Sequence, residues 1–348
     1  MRLPRARASL VISASLAAVI ACAPIGAGPA AADPAALPAA GTSDDGSRID
    51  SVRAADGGGL TLQVYSAAMD KDIEVFVQRP ADTGASAPTL YLLNGAGGGE
   101  DTATWNARTD VLGFLGGKHV NVVEPIGGQW SYYTDWRAPD PVLGVNKWKT
   151  FLTEELPPLI DRSLGTTGAN AIAGLSMSGT SVLQLPIAAP GLYRSAASLS
   201  GCAQISDHVG HDFVTLVLAD GGGSPDNMYG PQDDPMWAAN DPYMHADQLR
   251  GLNLFISNGS GLPGRYDTLN NPSGQPGVGG LANQVAVGGV LETVTDYCAH
   301  NLRNRLDQLG IPATYDFPST GTHSWAYWQD ELKKSWPTLA RGLGLPGN

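Results

Sequence analysis

Charge is scarce in this 348-residue chain. Charged residues make up 16% of it, against roughly 25% in an average globular protein, and 21 Lys and Arg face 33 Asp and Glu. The formal net charge of −12 leaves no basic footprint for phosphate contacts, which excludes nucleic acid as a partner. It also argues against simple electrostatic adhesion to an anionic membrane. No apolar run reaches the ~20 residues needed to span a bilayer. Clustered His/Cys ligands and a dinucleotide fingerprint are both lacking, so no metal or organic cofactor is expected. What remains is ample material for a core, with 43% hydrophobic residues. Gly and Pro together supply about a fifth of the chain, short of the ~25–30% that marks a low-complexity protein. The length suits one large α/β domain or two small ones, and neither an internal repeat nor a second boundary is visible.

Residues 1–32 read as an export signal. Arg2, Arg5 and Arg7 precede an apolar run from Leu10 to about Cys22, and Ala30-Ala31-Ala32 offers a small-residue cleavage site. Val19-Ile20-Ala21-Cys22 supports a competing reading as a lipoprotein box, with lipidation at Cys22. Cleavage after Ala32 leaves 18 basic against 33 acidic residues, a charge of −15. It also leaves two of the three cysteines, Cys202 and Cys298, in an oxidising setting. They are expected to form a disulfide, the competing reading being two separate buried thiols. Residues 33–57 read as a flexible lead-in and 58–345 as the folded domain.

Along that domain, Leu60–Tyr65 and Asp72–Gln78 alternate apolar and polar residues across a short link, the pattern of an antiparallel hairpin. Thr89–Leu93, Val120–Val123, Asn170–Ala173, Ser195–Leu199, Leu252–Ile256 and Ala313–Phe317 are short apolar strands. A helix is expected over Val145–Ile160, ending at Pro157-Pro158, and another from Met177, kinked at Pro186. The spacing of Val294, Cys298, Leu302, Leu306 and Leu309 predicts a helix over Glu292–Leu309, stopped by Gly310. A last helix begins at Trp325. Alternating strands and helices imply an α/β fold with a doubly wound, mostly parallel sheet. Ser257–Gly289, rich in Gly, Asn and Pro, reads as one long loop.

Gly174-Leu175-Ser176-Met177-Ser178-Gly179 lies between a strand and a helix, the setting of a nucleophile elbow that lifts a serine hydroxyl above the sheet. The Met177 N–H would face an oxyanion. A serine nucleophile needs a base and an acid in the order Ser, Asp or Glu, His. His323, in Gly321-Thr322-His323-Ser324-Trp325 just past the last strand, is the candidate base. His300, inside a helix, suits a surface or packing role. Spacing leaves the acid open among Glu292, Asp296 and Asp316. Leu93-Asn94-Gly95-Ala96-Gly97-Gly98-Gly99 stands where the second oxyanion donor belongs, and with no Lys-Ser/Thr after it a phosphate loop is disfavoured.

The elbow together with Gly321-Thr322-His323-Ser324-Trp325-Ala326-Tyr327-Trp328 resembles the antigen 85 mycolyltransferases, secreted α/β-hydrolases of mycolic-acid-bearing actinobacteria. Tyr91-Leu92-Leu93-Asn94-Gly95, Gly127-Gly128-Gln129, Tyr133-Thr134-Asp135-Trp136, Lys147-Trp148-Lys149-Thr150-Phe151-Leu152, Met228-Tyr229-Gly230-Pro231 and Asn240-Asp241-Pro242 extend the resemblance over about residues 60–345. It implies a single α/β-hydrolase domain with Ser176 as nucleophile, Glu292 as acid, His323 as base, and the N–H groups of Ala96 and Met177 as oxyanion donors. Gly97, Gln204, Ser324 and Trp325 are the residues it places toward the substrate. The chain departs from the family at several points: the oxyanion loop lacks the family's Arg, Gln204 stands where an aspartate is usual, and Ser257 replaces a cysteine.

The implied reaction moves a mycoloyl or corynomycoloyl group between trehalose esters or onto a wall glycan. Its partners are an acyl ester donor such as trehalose mycolate and a sugar hydroxyl or water as acceptor. Association with the cell envelope is expected. A secreted esterase or lipase uses the same residues, and a non-catalytic carbohydrate- or matrix-binding protein would have no need of all three.

Overall fold

The short apolar runs assemble into one mostly parallel sheet. In this computed structural model, which describes residues 42–348 apart from 56–57, 272–273 and 275, nine strands are hydrogen-bonded in the order β1-β2-β3-β5-β4-β6-β7-β8-β9. They are β1 (Arg48–Ala54), β2 (Leu60–Ser66), β3 (Lys71–Gln78), β4 (Thr89–Leu93), β5 (Asn121–Ile126), β6 (Asn170–Leu175), β7 (Tyr193–Leu199), β8 (Asn253–Ser257) and β9 (Thr314–Asp316). β1, β2, β3 and β5 pair antiparallel; β5, β4, β6, β7, β8 and β9 run parallel. The signal segment 1–32, Cys22 and residues 33–41 lie outside the described residues.

The lead-in read over 33–57 is too long. Arg48–Ala54 form an edge strand paired along β2. An edge strand with one exposed face carries little apolar alternation, so its partner rather than its pattern defines it.

Alternation across the central strands builds two layers. Tyr91, Leu93, Val123 and Ile172 face one core, shared with α1 (Leu156–Leu164) and α2 (Met177–Ala188). Leu90, Leu92, Val122, Ala171 and Ala173 face the other, covered by Trp328, Leu332, Trp336 and Leu339. Those four lie on the terminal helix Trp325–Leu343, which leaves the sheet sandwiched between helices, as the α/β reading requires. Burying each of these large side chains contributes about 1.5–3 kcal/mol.

Three helix boundaries differ from expectation. Pro157-Pro158 do not end a helix. They sit in the first turn of α1, where a missing N–H costs nothing, after a π-helical turn at Phe151–Glu155. Pro186 lies near the end of α2, so the expected kink has little helix left to bend. The long loop over 257–289 is partly helical. After α3 (His208–Asp220) and β8, a helix at Gly277–Asn283 passes through a π turn at Gln284–Gly288 into α4 (Gly289–Leu309), which Gly310 stops at φ +62°. The helix Trp325–Leu343 is α5. Gly and Pro content suggested loop there, and helix continuity overrode it.

Candidate active site

Ser176 stands at the carboxyl end of β6, between Leu175 and the first residue of α2, with φ 56° and ψ −122°. That left-handed conformation is costly for a residue bearing a Cβ, and here it turns the side chain out of the sheet. Its neighbours must be small. A Cβ on Gly174 would come within 2.5 Å of Ser178 Oγ, and one on Gly179 within 2.8 Å of Gly201 Cα. Ser178 uses its hydroxyl as a tie. The Oγ accepts from the Leu175 N–H at 2.9 Å and lies within donating distance of Leu93 O at 3.1 Å and Leu175 O at 3.0 Å. The elbow is thereby fastened to the end of β4, where the oxyanion loop begins.

Two distant residues converge on this turn. His323 Nε2 lies 2.7 Å from Ser176 Oγ, and His323 Nδ1 lies 2.7 Å from Glu292 Oε2. The hydrogen-bond pattern fits an imidazole that donates from Nδ1 to the carboxylate and offers Nε2 to the serine hydroxyl. The other Glu292 oxygen, Oε1, accepts from the Gly259 N–H at 2.6 Å, Ser200 Oγ at 2.8 Å and Asn258 Nδ2 at 3.0 Å. Trp328 Nε1 donates to Ser200 Oγ at 2.9 Å, and its ring stands edge-on to His323 with centroids 4.8 Å apart. Glu292 is only 2% exposed, so each of its lone pairs needs such a donor.

The loop bearing His323 is anchored on both sides. Thr322 Oγ1 donates to Asp267 Oδ1 at 2.6 Å, and Tyr327 OH donates to Asp267 Oδ2 at 2.7 Å. Burial raises the Tyr327 phenol above its ordinary value, and the Asp267 carboxylate adds to the effect.

The competing acids are engaged elsewhere. Asp296 faces His300 at 3.2 Å on the same helix, and Asp316 pairs with Lys334 at 2.5 Å. His300 itself packs against Phe317 at 4.6 Å. A cavity of about 410 Å³ opens beside Ser176 and His323, walled by Gly95, Ala96, Gly97, Trp130, Leu175, Phe213, Leu216, Val217, Val287, Leu291, Trp325 and Trp328. It is predominantly apolar, with Asp101 and Asp220 also in its lining.

Ala96, Gly97 and Trp325 line this cavity together with Ser176 and His323. Gln204 and Ser324 do not line this cavity. Gln204 is buried, donating from Nε2 to Asp207 at 2.5 Å and accepting from Asn301 Nδ2 at 2.8 Å, which joins α3 to α4. The Ser324 hydroxyl is buried too, 3.4 Å from Gln284 Nε2. The resemblance places both toward substrate, whereas here their side chains bond to Asp207, Asn301 and Gln284. Ser200, Asn258 and Asp267 went unnoticed. A serine after a strand, an Asn-Gly and an aspartate in a long loop carry no local signal of a shared site.

Cys202 and Cys298 form a disulfide joining the segment after β7 to α4. It is buried with Phe213 and flanked by Val217, Leu291 and Val294, so it backs the cavity wall. Bridging residues 96 apart, it should contribute about 2–5 kcal/mol. The double variant Cys202→Ser/Cys298→Ser is therefore expected to melt well below the oxidised protein. Reduction should bring the parent down to the variant; equal melting of oxidised parent and variant would contradict this.

A serine, a histidine and a glutamate linked in this order on a parallel α/β sheet define a serine hydrolase of the α/β-hydrolase class. The Esterase family profile matches residues 66–339. Diacylglycerol acyltransferase/mycolyltransferase Ag85A of Mycobacterium bovis is 34% identical over 297 residues, covering 82% of each chain. Ag85B of Mycobacterium avium is 34% identical over 297 residues, covering 82% of this chain and 84% of its own. The chain belongs to the antigen 85 family, and it is an acyl-transfer enzyme. Among solved structures, Mycobacterium tuberculosis MPT51 (FbpC1) shares the fold with a TM-score of 0.67 at 24% identity, covering 81% of this chain and 97% of its own. The Staphylococcus aureus serine hydrolase FphF does so with a TM-score of 0.55 at 18% identity, covering 79% and 95%.

Proposed function

We propose that this protein is an exported acyltransferase that moves a mycoloyl or corynomycoloyl group from one trehalose ester to another, or to a wall glycan. The observation that carries the reading is the Ser176–His323–Glu292 chain of hydrogen bonds opening onto an apolar cavity. Ser176 Oγ attacks the ester carbonyl while His323 Nε2 takes its proton. The negative oxygen that forms is met by the N–H groups of Met177 and Ala96. Met177 is the first residue of α2, so its N–H has no acceptor within the helix, and the Ala96 backbone is held through its carbonyl by Trp130 N at 2.6 Å. The sugar leaves with the proton from His323. An acceptor hydroxyl then gives its proton to His323, attacks the acyl-serine carbonyl, and frees Ser176. Export rests on the signal layout of residues 1–32, with cleavage after Ala32 or lipidation at Cys22.

One observation favours hydrolysis as a second reading. A Cβ on Gly97 would lie 2.3 Å from an Asp101 carboxylate oxygen, so an acidic group occupies the space where the family carries its sugar-contacting Arg. Incubation with trehalose monomycolate separates the two: dimycolate supports transfer, and free acid alone supports the esterase.

A further inference from the structure

Glu124 is a buried carboxyl that the acyl-transfer steps do not use. It lies on β5, 1% exposed, and its Oε1 accepts from the Trp105 N–H at 2.8 Å. Asn94, which opens the loop carrying Ala96, shares that N–H through Oδ1 at 3.3 Å. Asn94 Nδ2 donates to the Pro125 carbonyl next along β5, at 3.4 Å. The indole N–H of Trp105 donates to Leu93 O at 3.0 Å, at the end of β4. The Trp105 ring stands edge-on to Trp325 at 5.5 Å, Trp325 to Trp328 at 5.5 Å, and Trp328 to His323 at 4.8 Å. One carboxyl thus ties the oxyanion loop to the aromatic wall behind the catalytic imidazole.

We infer that Glu124 is the positioning residue of the oxyanion loop, holding Ala96 through Asn94 and Trp105, and that turnover is faster when its carboxyl is neutral than when it is ionised. This rests on the acyl-serine reading. Loop placement matters because an oxyanion donor acts on an oxygen that exists only in the transition state. The charge matters because a carboxylate in a low-dielectric interior opposes a second negative charge over a long range.

Burial pushes Glu124 up to about 7, against the Trp105 N–H donor. The buried Tyr133 phenol, in the segment after β5, is raised by burial and then by the charge of Glu124. Glu100 and Asp101 add negative charge at Tyr133, and no cation stands among these influences. Because the folded state holds this proton more tightly than the unfolded chain, stability from Glu124 is present below the ordinary glutamate value. It is lost as pH rises through about 7.

The test measures kcat and KM on a p-nitrophenyl ester, per folded molecule, from about pH 6 to about pH 8, bracketing this ionisation. Glu124→Ala is expected to lower kcat at least about tenfold, toward the ~10²–10³ of a lost oxyanion donor, with KM nearly unchanged. Glu124→Gln, neutral and of the same shape, is expected to restore kcat at the acidic end and to gain on the parent as pH rises. Full kcat in Glu124→Ala, or a flat ratio of Glu124→Gln to parent across pH, overturns the inference. If Glu124→Ala does not fold, the pH ratio alone decides. Failure of the acyl-serine reading shows separately, as retained turnover in Ser176→Ala.

Discussion

Ser176→Ala is expected to abolish ester turnover, with kcat lower by about 10⁴–10⁶-fold, while the melting temperature stays close to that of the parent. The hydroxyl is the group that becomes acylated, and no other nucleophile within the described cavity wall pairs with His323. The fold should survive because alanine keeps the Cβ and the same left-handed backbone demand at φ 56°. Mass spectrometry after brief exposure to an acyl ester should show a covalent adduct on Ser176 in the parent and none in the variant. An adduct elsewhere, or residual turnover within about tenfold of the parent, would remove Ser176 as nucleophile.

Glu292→Gln is expected to cost nearly as much, about 10⁴-fold in kcat, as for other triad acids turned to amides. The reason lies in the inventory of donors. Glu292 receives four: His323 Nδ1, the Gly259 N–H, Ser200 Oγ and Asn258 Nδ2. Glutamine has one acceptor oxygen and one donor group. If its oxygen stays with Gly259 and Asn258, its NH₂ faces His323 Nδ1 and forces the proton onto Nε2, where the imidazole cannot take the serine proton. If its oxygen turns to His323, its NH₂ meets the Gly259 N–H head-on, and the protein loses about 1–3 kcal/mol. A drop in kcat without a drop in melting temperature identifies the first arrangement. Unchanged kcat would shift the acid to another carboxylate, and Asp296 would have to leave His300 to serve.

The two variants draw on different kinds of information. Ser176 is legible because its environment is local. A strand, a run of small residues and a helix start within a few positions prescribe a sharp turn, and sterics at Gly174 and Gly179 enforce it. His323 is legible because it follows the last strand, where a carboxyl-end loop reaches the same edge of the sheet. Glu292 is not legible from spacing. Asp296 sits one turn along the same helix, and helix rotation sets which carboxylate faces the imidazole.

The rest of the site escaped because it is assembled across the sheet. Ser200 follows β7, Asn258 and Gly259 follow β8, and Trp328 lies on α5; they are neighbours only once these elements stack in order. Gln204 and Ser324 show the converse, since a position near the site in the chain does not say which way a side chain points.

The scarcity of positive charge, the absence of a spanning apolar run, the strand periods and the small-residue turn are properties of residues and near neighbours, and they already confine the chain to an α/β enzyme with a serine at a strained corner. Which carboxylate completes the triad, what closes the cavity, how two cysteines meet and why Glu124 is buried depend on contacts between residues tens to hundreds of positions apart. Such contacts, and the burial that raises Glu124, exist only after the core has excluded water. Burial is what makes an unpaired donor or charge expensive enough to dictate its partner.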